Sequence, residues 1–204
     1  MAADPTSRRR YDRAMPTTDR LPFTGNDEAD RLLVSEPLSL LIGFELDQQV
    51  PLQKAFSGPL ELQRRIGTLE AARIASMDPE ALDTAFRTPP ALHRFPSSMA
   101  RKTQELCAFI VERYGGDAGR VWGEAKDGAD LNARLLELPG FGPMKAGTIV
   151  AILGKQLGVT PAGWETYAPT HMTLGDVDSA EKLATYQAGK RAYKAEMRAQ
   201  GKRV

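Results

Sequence analysis

Between Pro37 and Phe56 the chain reads PLSLLIGFELDQQVPLQKAF, with apolar side chains at Leu38, Leu40, Leu41, Ile42, Phe44, Leu46, Val50, Leu52 and Phe56. These positions run nearly all the way round a helix. A helix apolar on every side is stable only when protein surrounds it, so this stretch belongs in the middle of the molecule. The rest of the chain offers helices to surround it. Met99, Thr103, Leu106, Cys107, Ile110, Val111 and Tyr114 form one stripe at helical spacing over residues 97–114. Asn26 or Asp27 caps a short helix at 27–34, and Asp78 followed by Pro79 opens another. Two short helices split at Gly67, shorter ones fill 117–125 and 130–137, and further helices span 143–157 and 179–199. Residues 158–178, rich in Pro, Gly and aromatics, form a long loop. With no β-type alternation and no internal repeat, the expected fold is all-α.

Composition narrows the classes. A chain of 204 residues makes one domain or two tightly packed lobes, and burying roughly 70% of its unfolded surface leaves no need for a disulfide or metal staple. The single cysteine, Cys107, expected on a buried helix face, excludes an internal disulfide and a four-cysteine iron–sulfur cluster and suits a reducing cytoplasm. No segment approaches the roughly 20 apolar residues of a membrane span, and the N-terminus lacks the apolar core of a secretory signal. The net charge is only +1, so attraction to nucleic acid must come from local patches. Two exist. Arg8, Arg9, Arg10 and Arg13 lie in residues 1–20, expected as a disordered basic arm ahead of one helical unit, 21–204. Lys190, Arg191, Lys194, Arg198, Lys202 and Arg203 stand against Glu196 in the tail.

The stretch LLELPGFGPMKAGTIVAILGKQLG, residues 135–158, packs Gly140, Gly142 and Pro143 between two apolar-periodic segments. Pro143 suits a first helical position. The glycines can take backbone angles closed to other residues and expose main-chain N–H groups, which point the same way as the free amides and positive dipole end of the helix that starts there. That geometry fits a backbone phosphate and carries no base sequence information. An ordinary corner with a glycine cap has the same sequence.

The surrounding residues add a resemblance. LPGFGPMKA resembles the hairpin of the helix–hairpin–helix–GPD superfamily of DNA glycosylases. LIGFELDQQVPLQKAFSG is similar to that superfamily's early helix, whose Ser/Gly–Gln–Gln segment reaches into the DNA gap. FPSSMARKTQELCAFIVERYGG resembles its helix ahead of the hairpin. The three stretches stand in the family's order over residues 30–158 and look most like an actinobacterial-like branch of base-excision repair proteins. The resemblance implies a two-lobed helical bundle with a cleft, acting as a cytoplasmic, nucleoid-associated monomer on double-stranded DNA. It implies no iron–sulfur cluster here, since one cysteine cannot hold one, and it admits a monovalent cation on the hairpin carbonyls.

On this resemblance Gln48 and Gln49 fill the place of an extruded base, Gln49 foremost, offering hydrogen bonds to the orphaned partner; the plainer reading is that both cap a helix bend beside Pro51. Gly140, Phe141, Gly142, Met144 and Lys145 form the hairpin's contact with the strand, and Arg94 and Lys102 touch phosphate. Trp164 and Tyr167, with His171, stack on the base; the plainer reading is that they pin the loop. His93 reads as a surface residue. Cleaving a glycosidic bond builds positive charge on the sugar, and an ionised carboxylate stabilises it or activates water. The family's aspartate interval lands here on TPAGW, without an acid. The next acids are Glu165, Asp176 and Asp178, and GDVDSAEKL resembles the family's Val–Asp–Thr lead into a helix. Asp178 is therefore the first candidate and Asp176 the second; Asp178 with Glu181 also reads as a capping pair. The position of the nucleophilic lysine of bifunctional members is Met144, and Lys145 lies about 100° further round the helix, facing phosphate or solvent. The expectation is a monofunctional, water-using DNA glycosylase; the alternative is a DNA-binding module that has lost the chemistry.

Overall fold

A computed structural model describes residues 17–201 and is all-helical, with no strand among the described residues. Ten α-helices follow one another: α1 Asp27–Ser35, α2 Pro37–Leu46, α3 Leu52–Ile66, α4 Ala71–Ala75, α5 Pro79–Arg87, α6 Pro96–Tyr114, α7 Arg120–Gly123, α8 Gly128–Glu137, α9 Pro143–Gln156 and α10 Ala180–Ala199. Two 3-10 turns, Trp164–Thr166 and Leu174–Asp176, break the loop before α10.

α2 is the buried helix that its composition demands. Every residue from Leu38 to Leu46 is buried. The apolar run does not continue as one helix to Phe56, however. Val50 precedes Pro51 and is steered away from the helical region, and Gln49 takes a left-handed backbone with φ +58°. The chain turns over residues 47–51 and returns as α3. The two helices approach through glycines: a Cβ at Gly43 would stand 2.6 Å from the Phe56 ring, and one at Gly58 would collide with Leu46. α9 is the second apolar helix, buried continuously from Ile149 to Leu153.

The principal helix contacts run within two sets, α1 to α6 and α7 to α10, the second including both 3-10 turns. One continuous apolar core runs from Leu21 to Leu183. Cys107 is fully buried in it, and burial pushes its thiol up to about 12.

The caps largely follow the sequence. Asn26 accepts from the amides of Glu28 and Ala29, and Asp78 accepts from Ala81 with Pro79 at the first position of α5. α10 differs. Its cap is Ser179, whose hydroxyl accepts from the Lys182 amide at 3.2 Å, because that residue stands three before a first-turn N–H. Asp178 lies one place outside and turns to the Lys182 ammonium. The head differs too. Thr17 donates to the Gln156 carbonyl at the end of α9, and Arg20 pairs with Asp19 and Asp27, so ordered contacts begin ahead of Leu21. Arg8, Arg9, Arg10, Arg13, Lys202 and Arg203 lie outside the described residues.

Candidate nucleic-acid interface

Glu45 is the one acid in the otherwise largely apolar α2, and it is completely buried. A carboxylate without water needs charged or hydrogen-bonding partners. Three parts of the chain supply them. Lys145, in the first turn of α9, places Nζ 3.1 Å from Glu45 Oε2, and Lys102 of α6 places Nζ 3.5 Å from Oε1. Gln48 donates from Nε2 to Glu45 Oε1 at 3.0 Å and to the Glu45 carbonyl at 2.8 Å, while its Oε1 accepts from Lys102 at 3.2 Å. Lys145 also donates to the Gly140 carbonyl at 3.0 Å and lies 4.9 Å from the Phe141 ring centre.

The hairpin is shaped to this carboxylate. Gly140 has φ +81°, which disfavours any other residue, and a Cβ there would collide with Glu45 Oε2. Gly142 is different: its φ of −100° is open to any residue, and a Cβ would meet nothing within 4 Å. Only Gly140 therefore needs glycine for its backbone angle; Gly142 leaves bare space above the turn. No side chain caps α9, so the Met144 and Lys145 amides have no acceptor from their own helix. Met144 is 86% exposed, whereas Phe141 is buried as the hairpin's anchor.

His93 corrects the surface reading, being 1% exposed. Its Nδ1 accepts the Phe95 amide at 3.0 Å, so Nε2 carries the proton and donates to the Gln48 carbonyl at 2.8 Å. Burial holds its pKa below the ordinary histidine value, with the Gln48 contact opposing, which keeps the ring neutral. The ring thereby fixes the turn at 47–51 against the start of α6. Arg94 is exposed, its guanidinium 4.7 Å from the Phe95 ring centre. Gln49 is exposed and is the only non-glycine with positive φ among the described residues.

Gln48, Gly140, Lys102 and Lys145 are thus brought together, with Gln49, Arg94 and Met144 exposed on the segments they fix. Gln48 and Lys145 are turned inward, their polar ends engaged, so Gln49 is the free glutamine and Lys145 is only partly exposed. Within the hairpin the Phe141 N–H bonds the Leu138 carbonyl, and Lys145 donates to the Gly140 carbonyl.

Asp176 and Asp178 stand elsewhere. They line a cavity of about 560 Å³ with Lys155, His171, Gly175 and Lys182, and none of the hairpin or 47–49 residues lines it. Asp176 bonds Lys155 at 2.6 Å, ten residues or about 15 Å along α9 from Lys145. Burial opposes the ionisation of Asp176, but the Lys155 and Thr173 hydrogen bonds outweigh it and hold its carboxyl below the ordinary range. The Lys182 bond does the same for exposed Asp178. Trp164 and Tyr167 follow the plainer expectation. The Trp164 ring fills the notch at Gly154, its backbone presses on Gly128, and the Tyr167 carbonyl closes over Gly147. Both are half-buried and pin the loop to α8 and α9.

Among the described residues no group of three His, Cys, Asp or Glu could hold a metal ion, and no helix is long and apolar enough to cross a membrane. Set against protein-family models, curated proteins and solved structures, the chain matches none.

Proposed function

We propose that the protein is a monofunctional DNA glycosylase of the two-lobed helix–hairpin–helix–GPD type, hydrolysing the N-glycosidic bond of a damaged or mispaired base turned out of duplex DNA. One observation supports this reading above the others. The three stretches that carry the resemblance, separated by up to a hundred residues in sequence, meet at Glu45 through Gln48, Lys102 and Lys145. A turn carrying an exposed glutamine is thereby clamped beside a hairpin that offers uncapped amides.

In this reading the hairpin amides around Gly142 and Met144 hold a strand phosphate, and Arg94 adds a cation. Turning a nucleotide out of the stack costs a few kcal/mol, and Gln49 offsets it by entering the gap and bonding the unpaired partner base. Its left-handed backbone is strained, as residues at binding sites often are. The enzyme acts as a monomer in the cytoplasm, at the nucleoid, without an iron–sulfur cluster, and leaves an abasic site uncut because Met144 offers no amine.

The test is single-turnover incubation with duplexes that each carry one uracil, alkylated purine, oxidised purine or mispair. Release of a free base, with strand breakage only after alkali, supports the proposal. Release from no member of the panel contradicts it. The alternative, a DNA-binding module without chemistry, is favoured by one observation: Asp176 and Asp178 are both paired to lysines, in a cavity apart from Gln49. It predicts salt-sensitive duplex binding and no product.

A further inference from the structure

We propose that Asp47, at the turn between α2 and α3, is the catalytic carboxylate, placed two residues before the exposed Gln49. The proposal rests on the glycosylase reading above and supplies the acid that Asp176 and Asp178, at the far end of α9, are badly placed to provide.

Two observations carry it, and the surrounding charge supports it. Asp47 caps the C-terminal end of α2, and the next residue but one is the exposed, strained Gln49. Whatever nucleotide Gln49 displaces therefore leaves its sugar close to this turn. The Asp47 side chain is half-buried yet has no hydrogen bond or ion pair with any described residue. Its neighbour Glu45, by contrast, is bonded on both oxygens. A desolvated carboxylate left without a partner is costly, and such groups gather at sites of chemistry. Lys190 and Lys194 of α10 also act on it electrostatically, as does Lys145 of α9, which stays engaged with Glu45. Lys190 and Lys194 are four residues apart, on one face of α10, and neither forms an ion pair among the described residues. A sugar in a DNA strand has a phosphate on either side. Lys190 and Lys194, which are exposed, would hold those phosphates and set the sugar over the carboxylate.

The step is a hydrolysis. The C1′–N bond breaks and its electron pair leaves with the base. A water oxygen bonds C1′ and gives its proton to ionised Asp47, which passes it to the departing nitrogen. The products are a base with N–H and a sugar with C1′–OH, and Asp47 returns to its ionised state. Burial holds the Asp47 carboxyl above the ordinary aspartate range, with Lys190, Lys145 and Lys194 opposing, whereas Asp176 and Asp178 are held below it. The acid limb of the rate profile therefore separates the candidates.

The experiment uses the full chain and whichever lesion duplex the parent cleaves, comparing Asp47→Asn, Asp176→Asn and Asp178→Asn under single turnover across pH 4–8. Asp47→Asn is expected to lose about 10²-fold or more in rate, with duplex affinity equal or tighter since a negative charge is gone. The parent's rate should rise with pH through a midpoint above the ordinary carboxylate value, and that limb should vanish in Asp47→Asn. Thermal melting verifies that the variant is folded, and Asp47→Ala repeats the test with the carboxyl removed. A parent rate retained in both Asp47 variants overturns this assignment and leaves the glycosylase reading standing. A parent that releases no base overturns both.

Discussion

Removing both lysines from Glu45 measures how far this cluster holds the interface together. Glu45 has no exposure, whereas the Lys145 and Lys102 side chains are 19% and 34% exposed. The partners are therefore unequal: a lysine that loses Glu45 can swing towards water, but Glu45 cannot. Replacing either lysine with methionine keeps the apolar stem and removes one charge-assisted contact. Because the other ammonium and Gln48 remain, each single change should cost about 1–2 kcal/mol. Replacing both leaves a buried carboxylate with only the Gln48 amide, and stranding a buried charge costs about 3–5 kcal/mol. Against a total stability of about 5–15 kcal/mol, that is a large part of the fold. Urea unfolding of the parent, Lys102→Met, Lys145→Met and the double variant gives the cycle. The double change should exceed the sum of the singles by about 1 kcal/mol or more. If the singles add, or the double costs under about 1 kcal/mol, Glu45 is not the anchor described here.

Gly140→Ala should destabilise by 2 kcal/mol or more, roughly the scale of an overpacked core plus a strained left-handed residue, seen as a fall in urea midpoint. Gly142→Ala, with ordinary φ and open space, should leave stability within about 0.5 kcal/mol yet weaken duplex binding, because its methyl stands where a strand approaches the amides; unchanged binding in filter titrations would count against the hairpin contact. Gln49→Gly should keep or slightly raise the melting temperature, since glycine accepts φ +58° without strain, while lowering affinity for duplexes with a displaced base. Gly154→Ala drives a methyl into the Trp164 ring and should cost about 1–3 kcal/mol while raising proteolytic cutting in the 158–178 loop. Asp47→Asn has a pH signature in stability. A carboxyl whose folded pKa lies above its unfolded one contributes stability at low pH that is lost as pH rises through the folded value. The variant should therefore melt above the parent at pH 7, with the gap closing below the ordinary aspartate range.

Helices and caps were legible because they are local. Asn26, Asp78 and Pro79 act on their own first turns, and the stripe from Met99 to Tyr114 needs only its spacing to be recognised. The break after α2 was hidden because its cause combines Pro51 with a left-handed Gln49, and hydrophobicity alone ignores both. His93 looked like a surface residue because its partners, the Gln48 carbonyl and the Phe95 amide, are main-chain groups that no side-chain pattern announces. Glu45 does leave a signal: one acid inside a helix apolar on every side demands a cation, and Lys102 and Lys145 stand in the two other stretches that carry the resemblance. Asp47 carries no such signal, since an acid beside two glutamines before a proline is an ordinary turn sequence. What sets it apart is the lack of a partner among the described residues, which only the fold reveals.

The most direct measurement is hydrogen–deuterium exchange of the protein with and without a duplex holding a single stable abasic-site analogue, at two salt concentrations. The account predicts protection at residues 47–49, 93–95 and 140–145 that weakens as salt rises. Protection instead around the cavity lined by residues 67–72 and 115–118, or no change anywhere at low salt, would contradict it.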